Sequence, residues 1–342
     1  MCYCSIVMSL TAIKLKKFTA FENLEVKFSP GVNIFIGENG TGKTHLMKVA
    51  YAACNAGKRK ERFEEKLQRL FLPSGGIGRL VKRQQGRTVC LVRVAGNGGG
   101  FQTKFSNQQQ VGEGVSRNSK WSKLSPKSVY IPVKEMLSNA PGFLALYETR
   151  ELHFEAVYPD IIHSAFLPPP RGKKDAQTRK LLSILEGDIY GKVISKGEEF
   201  FLKNQHGNLE FTLLAEGMRK LGLLHRLIGN GALAEGAVLF WDEPEANLNP
   251  KMYRSLVEIL LELRRFGVQV ILATHDYCIL KEFDLQANAE DKVAFHSLYR
   301  DSDDEICCHT TQSYSQIHPN AIADTFADLY DRQVERTIKG VK

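Results

Sequence analysis

Val32-Asn-Ile-Phe-Ile-Gly-Glu-Asn-Gly-Thr-Gly-Lys-Thr44 decides the reading of this 342-residue chain. Val32 to Ile36 is a short apolar run, the pattern of a strand buried on both faces. Gly37, Glu38, Asn39, Gly40, Thr41, Gly42, Lys43 and Thr44 then fit G-x-x-x-x-G-K-[ST]. From His45 to Ala53 the sequence predicts a helix. Strand, glycine loop and helix, in that order, form the context in which this motif holds phosphate. Glycines let the backbone turn closely, so that successive N–H groups face phosphate oxygens. The helix N-terminus adds unpaired donors and the positive end of its dipole. Lys43 would reach the β- and γ-phosphates of ATP, and the Thr44 hydroxyl would bind Mg²⁺. Residues 37 to 45, His45 included, are the expected nucleotide cradle.

Outward from this stretch, Ser9 to Phe28 predicts two strands, with Phe21-Glu-Asn23 as their turn. Ser29-Pro-Gly31 breaks the chain before the glycine loop. Residues 1–7 lack a basic n-region and make a poor signal peptide, so they are expected to be an unstructured extension. After the loop helix, residues 58–128 hold sixteen Lys and Arg against four Glu, which exceeds the net charge of +8 of the whole chain. Such a cluster suits nucleic-acid phosphates, an acidic partner or a solvated face. Within it, Lys58 to Phe71 has helical spacing. Arg87 to Val94 and Gly100 to Phe105 read as a hairpin across Gly96-Asn-Gly-Gly-Gly100. Ser128 to Pro132 is a further buried strand. From Lys134 to Glu186 the pattern is helical, interrupted by Leu167-Pro-Pro-Pro-Arg-Gly172. Strands follow around His206-Gly-Asn208, and Glu216 to Ile228 is a helix.

Composition excludes several classes. A hydrophobic fraction of 43% and a charged fraction of 25% suit a globular protein with a sizeable core. No run approaches the roughly 18 apolar residues of a membrane span, and a cytoplasmic location is expected. Seven scattered cysteines form no disulfide framework. Cys307-Cys308-His309 lacks the spacing of a structural zinc site.

Three further stretches carry chemistry. Ala237-Val-Leu-Phe-Trp-Asp-Glu-Pro-Glu245 is an apolar strand ending in acids, as a Walker B element does. Asp242 would hold Mg²⁺, and Glu243 would orient the attacking water. Ile271-Leu-Ala-Thr-His275 is another strand ending in a polar residue, where α/β sheets place ligand contacts. A helix from Lys251 to Phe266 joins these strands in a βαβ unit. Leu213-Leu-Ala-Glu-Gly-Met-Arg-Lys220 opens a helix about 25 residues before Asp242. A second phosphate-facing helix makes sense if it serves a second nucleotide.

Taken together, Gly37-Glu-Asn-Gly-Thr-Gly-Lys-Thr44, Ala215-Glu-Gly-Met-Arg219, Asp242-Glu-Pro-Glu-Ala-Asn-Leu-Asn-Pro250 and Ala273-Thr-His275 resemble the ABC-type ATPases. They are closest to the compact prokaryotic AAA-family members related to SMC and OLD proteins. The opening Ile13 to Asn23 is similar to that family's first hairpin. The match covers about residues 8 to 280. It implies an α/β P-loop NTPase of ABC-ATPase-head type: a mostly parallel central sheet, an antiparallel β subdomain and a helical lobe. The expected parts of this single domain are residues 8–133, 134–214 and 215–342.

The resemblance further implies an ATP-dependent, head-to-tail homodimer. Lys43, Asp242, Glu243 and His275 of one subunit would meet Ala215, Glu216 and Gly217 of the other, with Asn247 and Asn249 at the crossing loop. Two departures stand out. Ala215 replaces the signature serine of transporter ATPases, and no Q-loop glutamine occurs at Pro132-Val-Lys-Glu135. These make a transporter subunit the weakest of three readings. The others are a regulatory ATPase serving a separate effector or nuclease chain, as in phage defence, and a RecF-like repair ATPase binding DNA itself. Only 67 residues follow His275, too few for a Toprim nuclease.

Overall fold

The computed structural model describes residues 8–55, 61–109, 121, 126–150 and 152–339. The proposed extension at residues 1–7, and Lys58, Arg59, Lys60, Arg117, Lys120 and Lys123 of the basic segment, lie outside them. Strands β1 (Leu10–Phe18) and β2 (Phe21–Lys27) form the first hairpin, with Phe18 opposite Phe21. The turn is therefore Thr19-Ala20, not the expected Phe21-Glu-Asn23. The cause is apolar: Phe21 is fully buried, and its ring lies where a Cβ on Gly42 would fall, 2.4 Å away. An anchor beneath the glycine loop cannot also be an exposed turn residue.

Strand β3 (Val32–Gly37) leads into helix α1 (Lys43–Asn55). After α2 (Phe63–Phe71), strands β4 (Val89–Gly96) and β5 (Gly99–Ser106) extend the hairpin into an antiparallel sheet ordered β2-β1-β4-β5. Strand β6 (Lys127–Ile131) precedes a helical lobe of α3 (Phe143–Arg150), α4 (Val157–Phe166) and α5 (Ala176–Asp188). A small antiparallel sheet of β7 (Lys192–Lys196), β8 (Glu199–Asn204) and β9 (Gly207–Glu210) leads to helix α6 (Glu216–Gly229). Then come β10 (Ala237–Asp242), α7 (Tyr253–Arg265), β11 (Gln269–Ala273) and α8 (Tyr277–Gln286). Strands β12 (Ala294–Arg300) and β13 (Ile306–Thr311) and helix α9 (Ala321–Ile338) complete the described chain.

The central sheet is ordered β13-β12-β3-β11-β10-β6, and all its pairings are parallel except β12 with β13. Alternation along each strand sends side chains to two cores. Ile34, Ile36, Leu239, Trp241 and Leu272 pack with α4 to α7. Phe35, Val238, Phe240 and Ile271 pack with α1 and the antiparallel sheet. Such double burial explains why β3, β10 and β11 read as unbroken apolar runs. The α/β class, the parallel sheet, the antiparallel subdomain and the helical lobe agree with expectation. Strand β12 was not foreseen: it lies directly beside β3, with Phe295 opposite Ile34.

Candidate nucleotide site

Parallel strands β3, β11 and β10 are neighbours, so their C-terminal ends lie along one edge. The glycine loop, Asp242-Glu243 and Thr274-His275 leave the sheet at this edge. Two loop glycines are demanded by space as well as by dihedral angle. Gly37 has φ of 140°, and a Cβ there would sit 2.1 Å from the Leu298 carbonyl oxygen of β12. Gly42 has φ of 87° and rests on the Phe21 ring. Glu38, Asn39 and Gly40 are exposed at the tip, whereas Thr41 is buried and its hydroxyl donates to the Glu38 carbonyl at 2.8 Å.

The Lys43 ammonium donates to the carbonyls of Gly37 at 2.8 Å and Glu38 at 3.0 Å. Burial depresses its pKa to about 8, against the pull of Asp242 and Glu243. Next to it, the Thr44 hydroxyl donates to Asp242 Oδ1 at 3.3 Å. The other oxygen of Asp242 accepts from the Tyr130 hydroxyl at 3.1 Å. Burial raises the pKa of Asp242, while the donors Thr44 and Tyr130 hold it down. Two hard oxygens placed together suit a Mg²⁺ ion, which takes few protein ligands beside phosphate and water.

Glu243 adopts φ of 47°, rare for a non-glycine residue, and its N–H donates to the Ala273 carbonyl at 3.0 Å. The ring of His275 lies 3.9 Å from the Glu243 carboxylate. Burial first, and Lys43 second, hold that imidazole below its ordinary pKa. Glu245 clamps the turn from behind: one oxygen accepts from Thr274 Oγ1 at 2.7 Å and from the His275 N–H at 2.9 Å. The His45 ring meets Thr19 Oγ1 at 3.2 Å and packs edge-on with Phe71.

Helix α6, expected from the sequence to be the signature helix, meets the loop after β10 of its own chain. Glu216 begins α6, and Ala215, its N-cap, is exposed. A Cβ on Gly217 would lie 2.6 Å from the Asn247 carbonyl oxygen, so only glycine allows this approach. Fully buried Lys220 donates to the Ala246 carbonyl at 2.7 Å. Asn247, with φ of 63°, and Asn249 are exposed beside this junction. Glu135, in the stretch where no Q-loop glutamine occurs, pairs with Arg219 at 3.4 Å. Lys43, Thr44, Asp242, Glu243 and His275 are thus brought together, and Ala215, Glu216, Gly217, Asn247 and Asn249 form a second group. Sequence reasoning missed Tyr130, Glu245 and Lys220. Tyr130 sits in an apolar strand that gives no sign of a ligand, whereas Glu245, three residues after Asp242, was visible but carried no role.

The basic segment divides on folding. Lys66 is buried and bonded to Asp160 at 2.5 Å, Arg69 pairs with Glu61 at 2.8 Å, and Lys82 with Glu305 at 2.8 Å. Arg93 and Lys104 instead join Lys14 and Lys16 of β1 on the outer face of the antiparallel sheet, where Lys14 lies opposite Arg93. Lys14 also binds Glu25.

A glycine loop after β3 of the central sheet, an acidic strand end and a helix whose Gly217 packs on the loop beyond it accord with a compact AAA ATPase of the ABC/SMC type. The comparisons agree. Residues 106–281, just over half the chain, match the family described as "AAA domain, putative AbiEii toxin, Type IV TA system", and the chain belongs to it. Residues 12–128 match a second AAA-domain family. DNA replication and repair protein RecF of Listeria monocytogenes serotype 4b is 54% identical over 42 residues, 12% of this chain and 11% of that one. RecF of Lactobacillus johnsonii is 33% identical over 91 residues, 27% and 24% of the two chains. The chain thus spans under a quarter of these relatives' length. A solved Smc head bound to the C-winged helix domain of ScpA superposes with a TM-score of 0.58 at 12% identity, over 88% of this chain and 97% of that one. An Smc head with an extended coiled coil, bound to the C-terminal domain of ScpA derived from Pyrococcus furiosus, gives 0.54 at 11% identity, over 95% and 100%. Among the described residues no helix is long and apolar enough to cross a membrane.

Proposed function

We propose that this chain binds and hydrolyses ATP, and that ATP closes a head-to-tail homodimer whose opening and closing acts on a partner effector chain or a nucleic acid. The observation that carries this reading is the convergence of Lys43, Thr44, Asp242, Glu243 and His275 at one edge of the sheet. The loop's backbone donors and Lys43 would bind the triphosphate, with the ammonium exchanging its two carbonyl partners for phosphate oxygens. Thr44 and Asp242 would hold Mg²⁺, which neutralises phosphate charge when bound. Glu243 would accept a hydrogen bond from the attacking water, and His275 would keep that carboxylate aimed. The signature group of Ala215, Glu216 and Gly217 packs on the loop that carries Asn247 and Asn249, and Ala215, Asn247 and Asn249 are exposed. This favours its use on the nucleotide of the second copy.

Glu243→Gln keeps the hydrogen-bonding shape and removes the base. It is expected to accumulate an ATP-bound dimer, with turnover reduced at least about a hundredfold. Mass measurement with and without ATP and Mg²⁺ checks this; a mutant that stays monomeric in saturating nucleotide refutes it. A second reading, direct DNA binding as in a RecF-like ATPase, is favoured by the cationic face at Lys16, Arg93 and Lys104. Delivery to a separate effector in phage defence accords with the toxin–antitoxin wording of the matched family.

A further inference from the structure

Helix α9 runs for 18 residues without one that is buried. Its first turn is fixed to the body. Asn320 caps it, accepting from the Ala323 N–H at 3.1 Å. The Phe326 ring stacks on Tyr277 of α8, centroids 4.5 Å apart. Beyond that contact the same apolar stripe continues into solvent through Leu329, Tyr330, Val334 and Ile338, with Tyr330 67% and Ile338 79% exposed. Single exposed apolar residues are ordinary, but a contiguous stripe marks an interaction surface.

The pattern on the helix identifies the occupant. Phe326, Tyr330, Val334 and Ile338 are spaced four apart, a ridge of the kind that interdigitates between packed helices. The row is symmetric about Arg332. A second copy running the other way would place Tyr330 opposite Val334 and Phe326 opposite Ile338. The charges are unevenly divided about the same point: Asp324, Asp328 and Asp331 precede it, while Arg336 and Lys339 follow with a single acid, Glu335, which pairs with Lys339 at 3.1 Å. A parallel copy would oppose the aspartates to one another, whereas an antiparallel copy sets the acidic half on the half with a net positive charge, with Asp328 facing Arg336. Asp328 and Arg332 pair within the helix at 2.9 Å, yet each remains 65% exposed and open to a neighbour. Self-complementarity under reversal is what a two-fold interface requires.

We infer that α9 is a second dimer contact, an antiparallel pairing with α9 of another copy that does not depend on nucleotide. Ala321, Asp324 and Thr325 at its start line a cavity with Gly37, Glu38 and Thr41 of the glycine loop, but none of the stripe residues Phe326 to Ile338 does, so a pairing through the stripe differs from the ATP-driven closure proposed above. A helix of about 27 Å buries less than the roughly 1,600 Å² of a standard interface. The pairing is therefore concentration-dependent.

The test uses Lys43→Ala protein without nucleotide, which removes any ATP-driven closure. Sedimentation across a dilution series is expected to show a monomer–dimer equilibrium. Adding Tyr330→Glu and Val334→Glu should weaken it more than about tenfold, because the carboxylates would be desolvated in the stripe. Retained ATP binding by the same double variant on the wild-type background verifies its fold. Replacing the three aspartates by Lys, or Arg332, Arg336 and Lys339 by Glu, should each weaken self-association, and mixing the two proteins should restore it. A Lys43→Ala protein that is monomeric at every concentration, or a dimer indifferent to the two glutamates, overturns the inference. Neither result bears on closure by ATP, which Glu243→Gln reports.

Discussion

Lys43 shows how the chemistry of one side chain can be read from its burial. Its ammonium is held by two carbonyls and has a pKa of about 8. Only the cation can pair with phosphate, so nucleotide binding selects the protonated form. Below the depressed pKa the lysine is already charged, and affinity should be flat with pH. Above about 8, binding must first take up a proton, and Kd should rise toward tenfold per pH unit. Titration of nucleotide affinity across this range checks the sign; affinity that strengthens with rising pH would contradict it. Tyr130 supplies a second expectation. Its hydroxyl is one of two donors to Asp242, so Tyr130→Phe should raise the carboxyl pKa further and weaken the Mg²⁺ requirement's half-saturation several-fold, about 1 kcal/mol for one lost hydrogen bond. Measuring ATP binding against Mg²⁺ concentration reads this directly. The glycine-loop lysine was legible because a local pattern specifies it. Tyr130 was not, since its partner lies 112 residues away.

At the scale of elements, the junction between α6 and the loop after β10 deserves a direct experiment. Gly217→Val would drive a side chain into the Asn247 carbonyl and Leu248. Helix and loop must then separate, displacing the exposed group that the second copy is proposed to use. Nucleotide binding to the subunit's own glycine loop should survive, while ATP-dependent dimerisation is lost. Equal loss of both would show that the junction supports the fold rather than the contact. Unbroken apolar runs made β3, β10 and β11 legible, and 3.6-residue spacing made α7 legible. The turn at Thr19-Ala20 was misplaced by two residues, because local turn propensity says nothing of the ring that Gly42 needs beneath it. Strand β12 escaped notice because Phe295, His296, Ser297 and Leu298 mix polar and apolar residues. His296 is nonetheless fully buried, stacked on Phe35 and bonded to Asn33 and Thr310. Its polarity is satisfied by partners that no local pattern reveals.

For the whole molecule, the distribution of charge matters more than its sum. Sequence order grouped Lys66, Arg69 and Lys82 with Arg93 and Lys104, but folding spends the first three on internal carboxylates. It then brings Lys14 and Lys16, from outside the basic segment, to the exposed face. If this face binds duplex DNA, affinity should fall steeply with salt. Lys16→Ala with Arg93→Ala should lower the slope of log affinity against log salt by about 2. Binding that is equal at low and high salt would remove the direct-DNA reading and leave the effector reading. The neighbour of β3 carries one more consequence. Asn33 meets His296, 263 positions later, and Gly37 rests against Leu298. A chain emerging from the ribosome makes its glycine loop early, yet the strand supporting that loop has no partner on this side until β12 follows. Closing so long a loop is slow. A chain cut short before β12 is therefore expected to carry the whole glycine-loop motif yet hold nucleotide less tightly than the longer chain, which binding measurements on a truncation at residue 290 would check.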